Sequence, residues 1–114
     1  MIHELKTIPK YFGDVITGEK GFEVRRFDRP FKVGDLLALN EYIFEEKRYT
    51  GNSCLVYIDY LLDDPEYVKP GYVILGIKPC EVFRFASPYN PASRRDDYSV
   101  PLATLAEVEN LAKE

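Results

Sequence analysis

Residues 18–25 constrain the fold more than any other part of the chain, because a helix stop here is followed at once by a strand. Upstream, residues 9–17 carry apolar side chains at helical spacing, and Gly18 suits the left-handed conformation in which helices end. From residue 22 onward, apolar and charged side chains alternate, which is typical of a strand. The sequence therefore predicts a short helix that turns directly into a strand.

The side chains of this predicted strand divide between two faces. Phe22 and Val24 are apolar and are expected to face a core, whereas Glu23 and Arg25 share the opposite face. Lys20, at the entrance of the strand, can lean towards that polar face. The pattern predicts a site in which an ammonium, a carboxylate and a guanidinium group lie close together. The structural alternative is that Glu23 and Arg25 simply pair across the strand surface.

The middle of the chain is predicted to be rich in strands. Residues 36–44 are dense in apolar and aromatic side chains, residues 45–47 supply a polar hairpin tip, and a return strand reaches residue 61. Gly51 predicts a bulge in that return strand. Residues 72–77 are apolar on both faces, as expected for a strand of a closed or partly closed barrel.

The last part of the chain has a pattern of its own. Thr104 and Glu107 form a capping box, which predicts a final helix. Apolar side chains follow at helical spacing that would let this helix pack on the barrel: Leu105, Val108, Leu111 and Ala112. We therefore expect a barrel domain over residues 1–78 and a C-terminal extension over residues 79–114 that packs on it.

Length and composition limit the class of protein. With 114 residues and 46% hydrophobic content, the chain is long enough for one domain and too short for two ordinary ones. No apolar run approaches the roughly 20 residues that span a bilayer, and the start lacks the form of a secretory signal, so a cytoplasmic protein without membrane contact is expected. His3, Cys54 and Cys80 have neither the number nor the spacing of a disulfide framework or a zinc site. No metal and no cofactor are predicted.

Charge is unevenly distributed along the chain. The net charge of -4 argues against a protein that coats duplex DNA by charge alone. Residues 1–32, however, hold seven basic and five acidic side chains, so a local cationic patch can form. Lys6 and Arg29 belong to this region and are further candidates for ligand binding. An ordinary mixed-charge surface is the alternative.

The spacing Gly-x-Lys-x-x-Glu-x-Arg, formed by Gly18, Lys20, Glu23 and Arg25, resembles the signature of ASCH domains, a branch of the PUA-like superfamily. The resemblance covers about the first two thirds of the chain, and the order of its segments is similar to a small ASCH-like subfamily of bacterial and phage proteins of unassigned function. It implies an α+β fold: a compact, mixed and mostly antiparallel β-barrel with a short N-terminal helix. It also implies that the protein binds RNA, nucleotides or modified nucleosides.

The residues of the signature are chemically suited to such a ligand. Lys20 and Arg25 can contact a phosphate or a base carbonyl, and Glu23 can accept hydrogen bonds from an exocyclic amine or a base N–H. Tyr11, on the predicted helix, is the aromatic side chain nearest to the signature in sequence and is a candidate for stacking on a base. The first hypothesis is thus an RNA- or nucleotide-binding protein with a polar cleft beside residues 18–25.

Two other functions remain open. Some small ASCH proteins are amidohydrolases that remove an acyl group from modified cytidine with a lysine, a threonine and a glutamate. Lys20 matches that lysine, but Glu23 stands where those enzymes have the threonine, and a carboxylate does not replace a hydroxyl nucleophile. Lys20 and Glu23 are therefore catalytic candidates only as an electrostatic partner and a general base. The third hypothesis is a protein-interaction module of phage or bacterial origin.

Overall fold

The computed structural model describes residues 1–83. These residues form a five-stranded mixed sheet and one helix. The elements along the chain are β1 (Ile2–Thr7), α1 (Pro9–Ile16), β2 (Phe22–Arg26), β3 (Leu36–Ile43), β4 (Arg48–Leu62) and β5 (Tyr72–Phe83). The strand order is β1-β3-β4-β5-β2, with β1 parallel to β3 and all other neighbours antiparallel. The sheet curls into a half-barrel whose two edge strands are β1 and β2. This confirms the predicted mixed, mostly antiparallel α+β architecture.

The main core cluster lies on one face of the sheet, the face that helix α1 covers. On β3, Leu37 and Leu39 belong to the core cluster, and both are fully buried. The facing positions of the other strands complete it, including Val56, Ile58, Val73 and Leu75. Helix α1 covers this face with Phe12 and Val15. Full burial of an aliphatic or aromatic side chain contributes about 1.5–3 kcal/mol, so this cluster stabilises the sheet with that face inside. The opposite face of β3 is buried as well, because residues 36–40 are buried without a break.

The helix end is formed as predicted. Pro9 stands in the first turn of α1, and Gly18 adopts a left-handed φ of 82° just beyond its last turn. The backbone N–H of Gly18 donates to the carbonyl of Val15 at 3.1 Å, and that of Lys20 donates to the carbonyl of Asp14 at 3.0 Å. The chain thus folds back on the helix before β2 begins, which fixes the position of Lys20.

The predicted bulge in the β3–β4 hairpin is also present. The pairing register of the two strands shifts between Asn40 and Tyr42, opposite Gly51, whose φ is 99°. At the tip, Lys47 has a positive φ of 52°. A bulge bends the strand that carries it and increases its twist. The hairpin therefore curves, as closure of a half-barrel requires.

The C-terminal extension is described only in part. Strand β5 continues through Phe83, and Pro79, Glu81, Val82 and Phe83 pair with β4 in the same sheet. The predicted C-terminal helix lies outside the described residues. Within residues 1–83, no helix is long and apolar enough to cross a membrane.

Candidate functional site

A cleft of about 400 Å³ opens between the end of β1, helix α1, strand β2 and the β3–β4 turn. We call it the polar cleft. Its lining includes Thr7, Tyr11, Lys20, Glu23, Arg25 and Phe44. The first helix and the strand of the signature therefore meet at one concave surface.

The orientation predicted for β2 is wrong. Phe22 and Val24 are 46% and 50% exposed, whereas Glu23 is only 4% exposed and points to the inner side with Arg25. Strand β2 is an edge strand that pairs only with β5, and its inner face meets the open side of the half-barrel. Charged side chains can occupy that position because they are paired there with one another and with the backbone of β1.

Lys20 and Glu23 form the central ion pair of the cleft. Lys20 Nζ lies 2.9 Å from Glu23 Oε2, and the two side chains are 14% and 5% exposed. The ammonium also lies 5.2 Å from the ring centroid of Tyr11 and 5.1 Å from that of Phe22. Both distances are within the range of cation–π attraction. The lysine head group is therefore held between the helix and the strand.

Arg25 joins the two edges of the half-barrel. Its Nη1 donates to the backbone carbonyl of Lys6 at 3.0 Å, and its Nη2 donates to Thr7 Oγ1 at 3.0 Å. Nη2 also lies 3.7 Å from Glu23 Oε1. The planar guanidinium fork suits this double contact, which a lysine cannot reproduce.

Two polar atoms of the polar cleft have no hydrogen-bond partner among residues 1–83. They are Glu23 Oε1, an acceptor, and Arg25 Nε, a donor, and both atoms are buried. An unsatisfied buried polar atom costs roughly 1–3 kcal/mol. A molecule that offered a donor and an acceptor at this point would recover that cost.

The structure does not bring all predicted residues together. Lys20, Glu23, Arg25 and Tyr11 line the polar cleft. Lys6 also lines it. Its backbone carbonyl accepts a hydrogen bond from Arg25, and its ammonium lies 4.4 Å from the ring centroid of Tyr42.

Arg29 is not among the residues that line the polar cleft. It lines a separate cavity of about 320 Å³, and its Nη1 donates to the carbonyl of Glu4 at 3.5 Å. Of the predicted basic residues, Lys20 and Arg25 line the polar cleft, Arg29 lines the second cavity, and Lys6 lines both.

Five lining residues were not predicted as site residues from the sequence: Thr7, Ile8, Phe22, Val24 and Phe44. Thr7 is 4% exposed and faces inward with His3 and Leu5, a period-two pattern along β1 that could have indicated it. Phe44 is 53% exposed and reaches the polar cleft from the β3–β4 turn. Nothing in the local sequence distinguishes Phe44 from other exposed aromatic residues.

Comparison with known proteins gives a family, a relative and a fold. The family model described as "Domain of unknown function (DUF3850)" matches residues 2–77. The "Uncharacterized 12.9 kDa protein in GpA 3'region" of Escherichia phage P2 is 35% identical over 74 residues. That match covers 65% of this chain and 65% of the phage protein, which is less than two thirds of the relative's length.

A crystal structure of a mutant ZmASCH protein from Zymomonas mobilis is similar in fold. The TM-score is 0.52, with 9% identity over 74% of each chain. At this identity the likeness shows the fold alone. The predicted ASCH resemblance is therefore confirmed for the fold, while the family model that matches is DUF3850 and not ASCH.

Proposed function

The chain belongs to the DUF3850 family, and we propose that it binds RNA or a nucleotide by accepting a base in the polar cleft. The observation that carries this proposal is the pair of unsatisfied atoms, Glu23 Oε1 and Arg25 Nε. A base edge carries N–H donors beside carbonyl or ring-nitrogen acceptors, so it can satisfy a carboxylate oxygen and a guanidinium N–H together. A volume of about 400 Å³ lies within the range of ligand pockets.

The base, and not the phosphate, is the part of the ligand that enters. Lys20 is already paired with Glu23, and Arg25 already donates to β1. A phosphate placed at this point would meet a buried carboxylate whose free oxygen accepts hydrogen bonds and donates none. A neutral ring with an amine or N–H group meets no such repulsion. The phosphate of a nucleotide would remain at the solvent side.

Exposed aromatic side chains at the mouth of the polar cleft support the same ligand. Tyr11 is 44% exposed, Phe22 46% and Phe44 53%. Flat side chains of this kind stack on unpaired bases, and such stacking contributes about 1–3 kcal/mol per base. A cleft with a polar floor and an aromatic mouth matches a flat ring that is polar at its edges.

Titration with single nucleosides and short RNAs tests this proposal. We expect the amides of residues 17–25 to shift in NMR spectra of the labelled protein. Glu23→Gln and Lys20→Ala should each weaken binding about 10- to 100-fold, the range that corresponds to loss of one good base contact. Glu19→Gln and Lys32→Ala are the matched controls, because both side chains are exposed and neither lines the polar cleft.

Three results would contradict binding of a base in the polar cleft. If no nucleoside or RNA shifts these amides, the protein does not bind bases in the polar cleft. If RNA binds but Glu23→Gln and Glu19→Gln have the same affinity, the ligand occupies another surface. A protein captured without any response to nucleotides would favour the interaction-module hypothesis instead.

The amidohydrolase alternative receives no comparable support from the polar cleft. Thr7 supplies a hydroxyl there, but that oxygen accepts a hydrogen bond from Arg25, a group that cannot take up its proton. Glu23 is engaged by Lys20 through its other oxygen. Binding therefore accounts for the geometry better than turnover, and mass spectrometry for deacylated product at high enzyme concentration tests the alternative.

A further inference from the structure

The second cavity adjoins the polar cleft, because Lys6 lines both. Its volume is about 320 Å³, and its lining within residues 1–83 consists of Glu4, Leu5, Lys6, Arg29, Asn40 and Tyr49. Arg25, in the polar cleft, donates to the carbonyl of Lys6, and Arg29, in the second cavity, donates to that of Glu4. These carbonyls are two residues apart on β1, which is roughly 7 Å along a strand. A ligand longer than one base can therefore reach from one space into the other.

Asn40 is the buried polar residue of the second cavity. It is 1% exposed, and strand pairing places it beside Lys6 of β1. Its Oδ1 is buried and has no hydrogen-bond partner among residues 1–83. A buried acceptor without a donor is costly, and a hydroxyl or N–H group of a ligand would satisfy it. The second cavity thus contains an unsatisfied acceptor, as the polar cleft does at Glu23.

Two basic side chains give the second cavity an excess of positive charge. Lys6 and Arg29 stand against Glu4, the acid among the lining residues that the structure describes. The hydrogen bond from Arg29 Nη1 to the Glu4 carbonyl is long, at 3.5 Å, and Asp28 Oδ1 lies 3.7 Å from Arg29 Nε. A guanidinium group has five N–H donors, so further donors remain for a ligand. Guanidinium and ammonium groups together are suited to a phosphate.

We propose that the second cavity binds the ribose and phosphate of the nucleotide next to the base in the polar cleft. The ligand is then RNA of at least two nucleotides, and this inference rests on the proposed function. Lys6 and Arg29 contact the phosphate, and Asn40 Oδ1 accepts a hydrogen bond from the ribose 2′-hydroxyl. The phosphate that Glu23 keeps out of the polar cleft meets two cations here.

Other ligands would leave part of the second cavity unsatisfied. A DNA strand supplies the phosphate but has no 2′-hydroxyl, the group by which proteins distinguish RNA from DNA. Asn40 Oδ1 would then keep its unsatisfied state. A single nucleoside fills the polar cleft and leaves Arg29 to water. Ribose and phosphate together match both the acceptor and the cations.

A ligand series with the full-length protein tests this inference. The probes are the four ribonucleosides, the four homodinucleotides with one bridging phosphate, and the 2′-deoxy form of each. We expect the best ribodinucleotide to bind about 10- to 100-fold more tightly than its nucleoside, the range for hydrogen bonds to charged groups. Loss of the 2′-hydroxyls should weaken the dinucleotide about 3- to 10-fold and the nucleoside much less. Equal affinity for the ribose and deoxyribose dinucleotides would overturn the assignment of RNA.

NMR spectra of the unchanged protein separate this inference from the proposed function. The side-chain amide signals of Asn40 should shift with the ribodinucleotide and not with the nucleoside, whereas the backbone amides of residues 17–25 should shift with both. A dinucleotide that binds no more tightly than the nucleoside and leaves Asn40 unshifted would overturn the inference, while base binding in the polar cleft would stand. If neither ligand shifts residues 17–25, the proposed function itself fails.

A charge-matched pair of variants gives an independent readout. Arg29→Gln should remove most of the gain in affinity from nucleoside to dinucleotide and leave the affinity for the nucleoside unchanged. Arg26→Gln is the control, because Arg26 is exposed and lines neither space. Each substitution removes one positive charge, so equal losses would reduce the effect to long-range attraction and overturn the contact. If Arg29→Gln does not fold, the ligand series with the unchanged protein decides.

Discussion

Arg25 and Thr7 lie on the two edge strands of the half-barrel, and a 3.0 Å hydrogen bond from Arg25 Nη2 to Thr7 Oγ1 joins them. Arg25 also satisfies the carbonyl of Lys6 on the exposed edge of β1. An edge strand exposes unpaired backbone groups that could pair with another chain. Here the Arg25 guanidinium satisfies one such carbonyl. Because Arg25 also lines the polar cleft, the residue serves both closure of the half-barrel and the proposed binding site.

Arg25→Lys should therefore destabilise the fold while keeping the charge. An ammonium cannot hold both the carbonyl and the hydroxyl in the geometry of the guanidinium fork. We expect a loss of about 1–2 kcal/mol in the free energy of unfolding, the range for one or two such hydrogen bonds. Urea denaturation measures the loss, and hydrogen exchange should rise at β2.

Arg26→Lys is the matched control for this prediction. Arg26 is the next residue of β2, is exposed, and its guanidinium lies 5.7 Å from the Tyr72 ring centroid. A lysine can keep that contact, so the change should stay within about 0.5 kcal/mol. Equal effects of the two substitutions would mean that closure does not depend on Arg25.

The ion pair of the polar cleft should respond differently to the removal of each partner. Lys20→Met leaves the Glu23 carboxylate 3.7 Å from Arg25, so the buried charge keeps a partner. Glu23→Gln leaves two cations without a carboxylate between them. We therefore expect Glu23→Gln to cost more stability, with a coupling energy of about 1–3 kcal/mol in the double-mutant cycle.

The exposed Arg48–Glu46 ion pair of the β3–β4 hairpin is the control for this coupling energy. Arg48 Nη2 lies 3.1 Å from Glu46 Oε2, and their side chains are 56% and 53% exposed. Surface pairs of this kind contribute about 0–1 kcal/mol, so the same cycle should give a much smaller coupling there. If the two couplings agreed, burial would not strengthen the Lys20–Glu23 pair.

Local sequence patterns predicted the backbone better than the orientation of β2. Gly18 and Gly51 mark the helix end and the bulge because their positive φ values are set by nearby residues. Alternation also placed Glu23 and Arg25 on one face. It could not show that this face is inside, because the groups that satisfy Arg25 come from β1 and are distant in sequence. Contacts with a strand that is remote in sequence determine which face of β2 is buried.

Two glycine substitutions separate backbone conformation from packing at α1. Gly18 has a φ of 82°, and a Cβ added there or at Gly13 would meet no atom within 4 Å. Gly18→Ala should cost about 1–2 kcal/mol, because a residue with a Cβ is strained in the left-handed region. Gly13→Ala, within the helix, should instead stabilise the protein by about 0.5–1 kcal/mol. Thermal denaturation should shift in opposite directions, and a loss in both variants would contradict this account.

Asp35 ties the start of β1 to the turn before β3. Its Oδ2 lies 2.9 Å from His3 Nε2 and accepts the backbone N–H of Lys32 at 3.1 Å, while its Oδ1 accepts from the N-terminal ammonium at 3.3 Å. Burial by itself raises the pKa of Asp35. The hydrogen bonds to His3, the N-terminal ammonium and Lys32, together with the charge of that ammonium, outweigh burial and lower the pKa below its usual value of 3.8.

This lowered pKa predicts how stability depends on pH. A carboxyl group whose pKa is lower in the folded state stabilises the fold above its unfolded pKa, and this contribution is lost as the pH falls through the folded pKa. Asp35→Asn should cost about 1.5–3 kcal/mol at pH 7, the range for hydrogen bonds to a charged group. The difference from the parent should shrink below about pH 4, where the unfolded carboxyl group becomes protonated. Urea titrations between neutral and acidic pH measure this difference in the free energy of unfolding, with Asp63→Asn as an exposed control. A difference that stayed constant down to acidic pH would show that the carboxylate charge of Asp35 does not stabilise this junction.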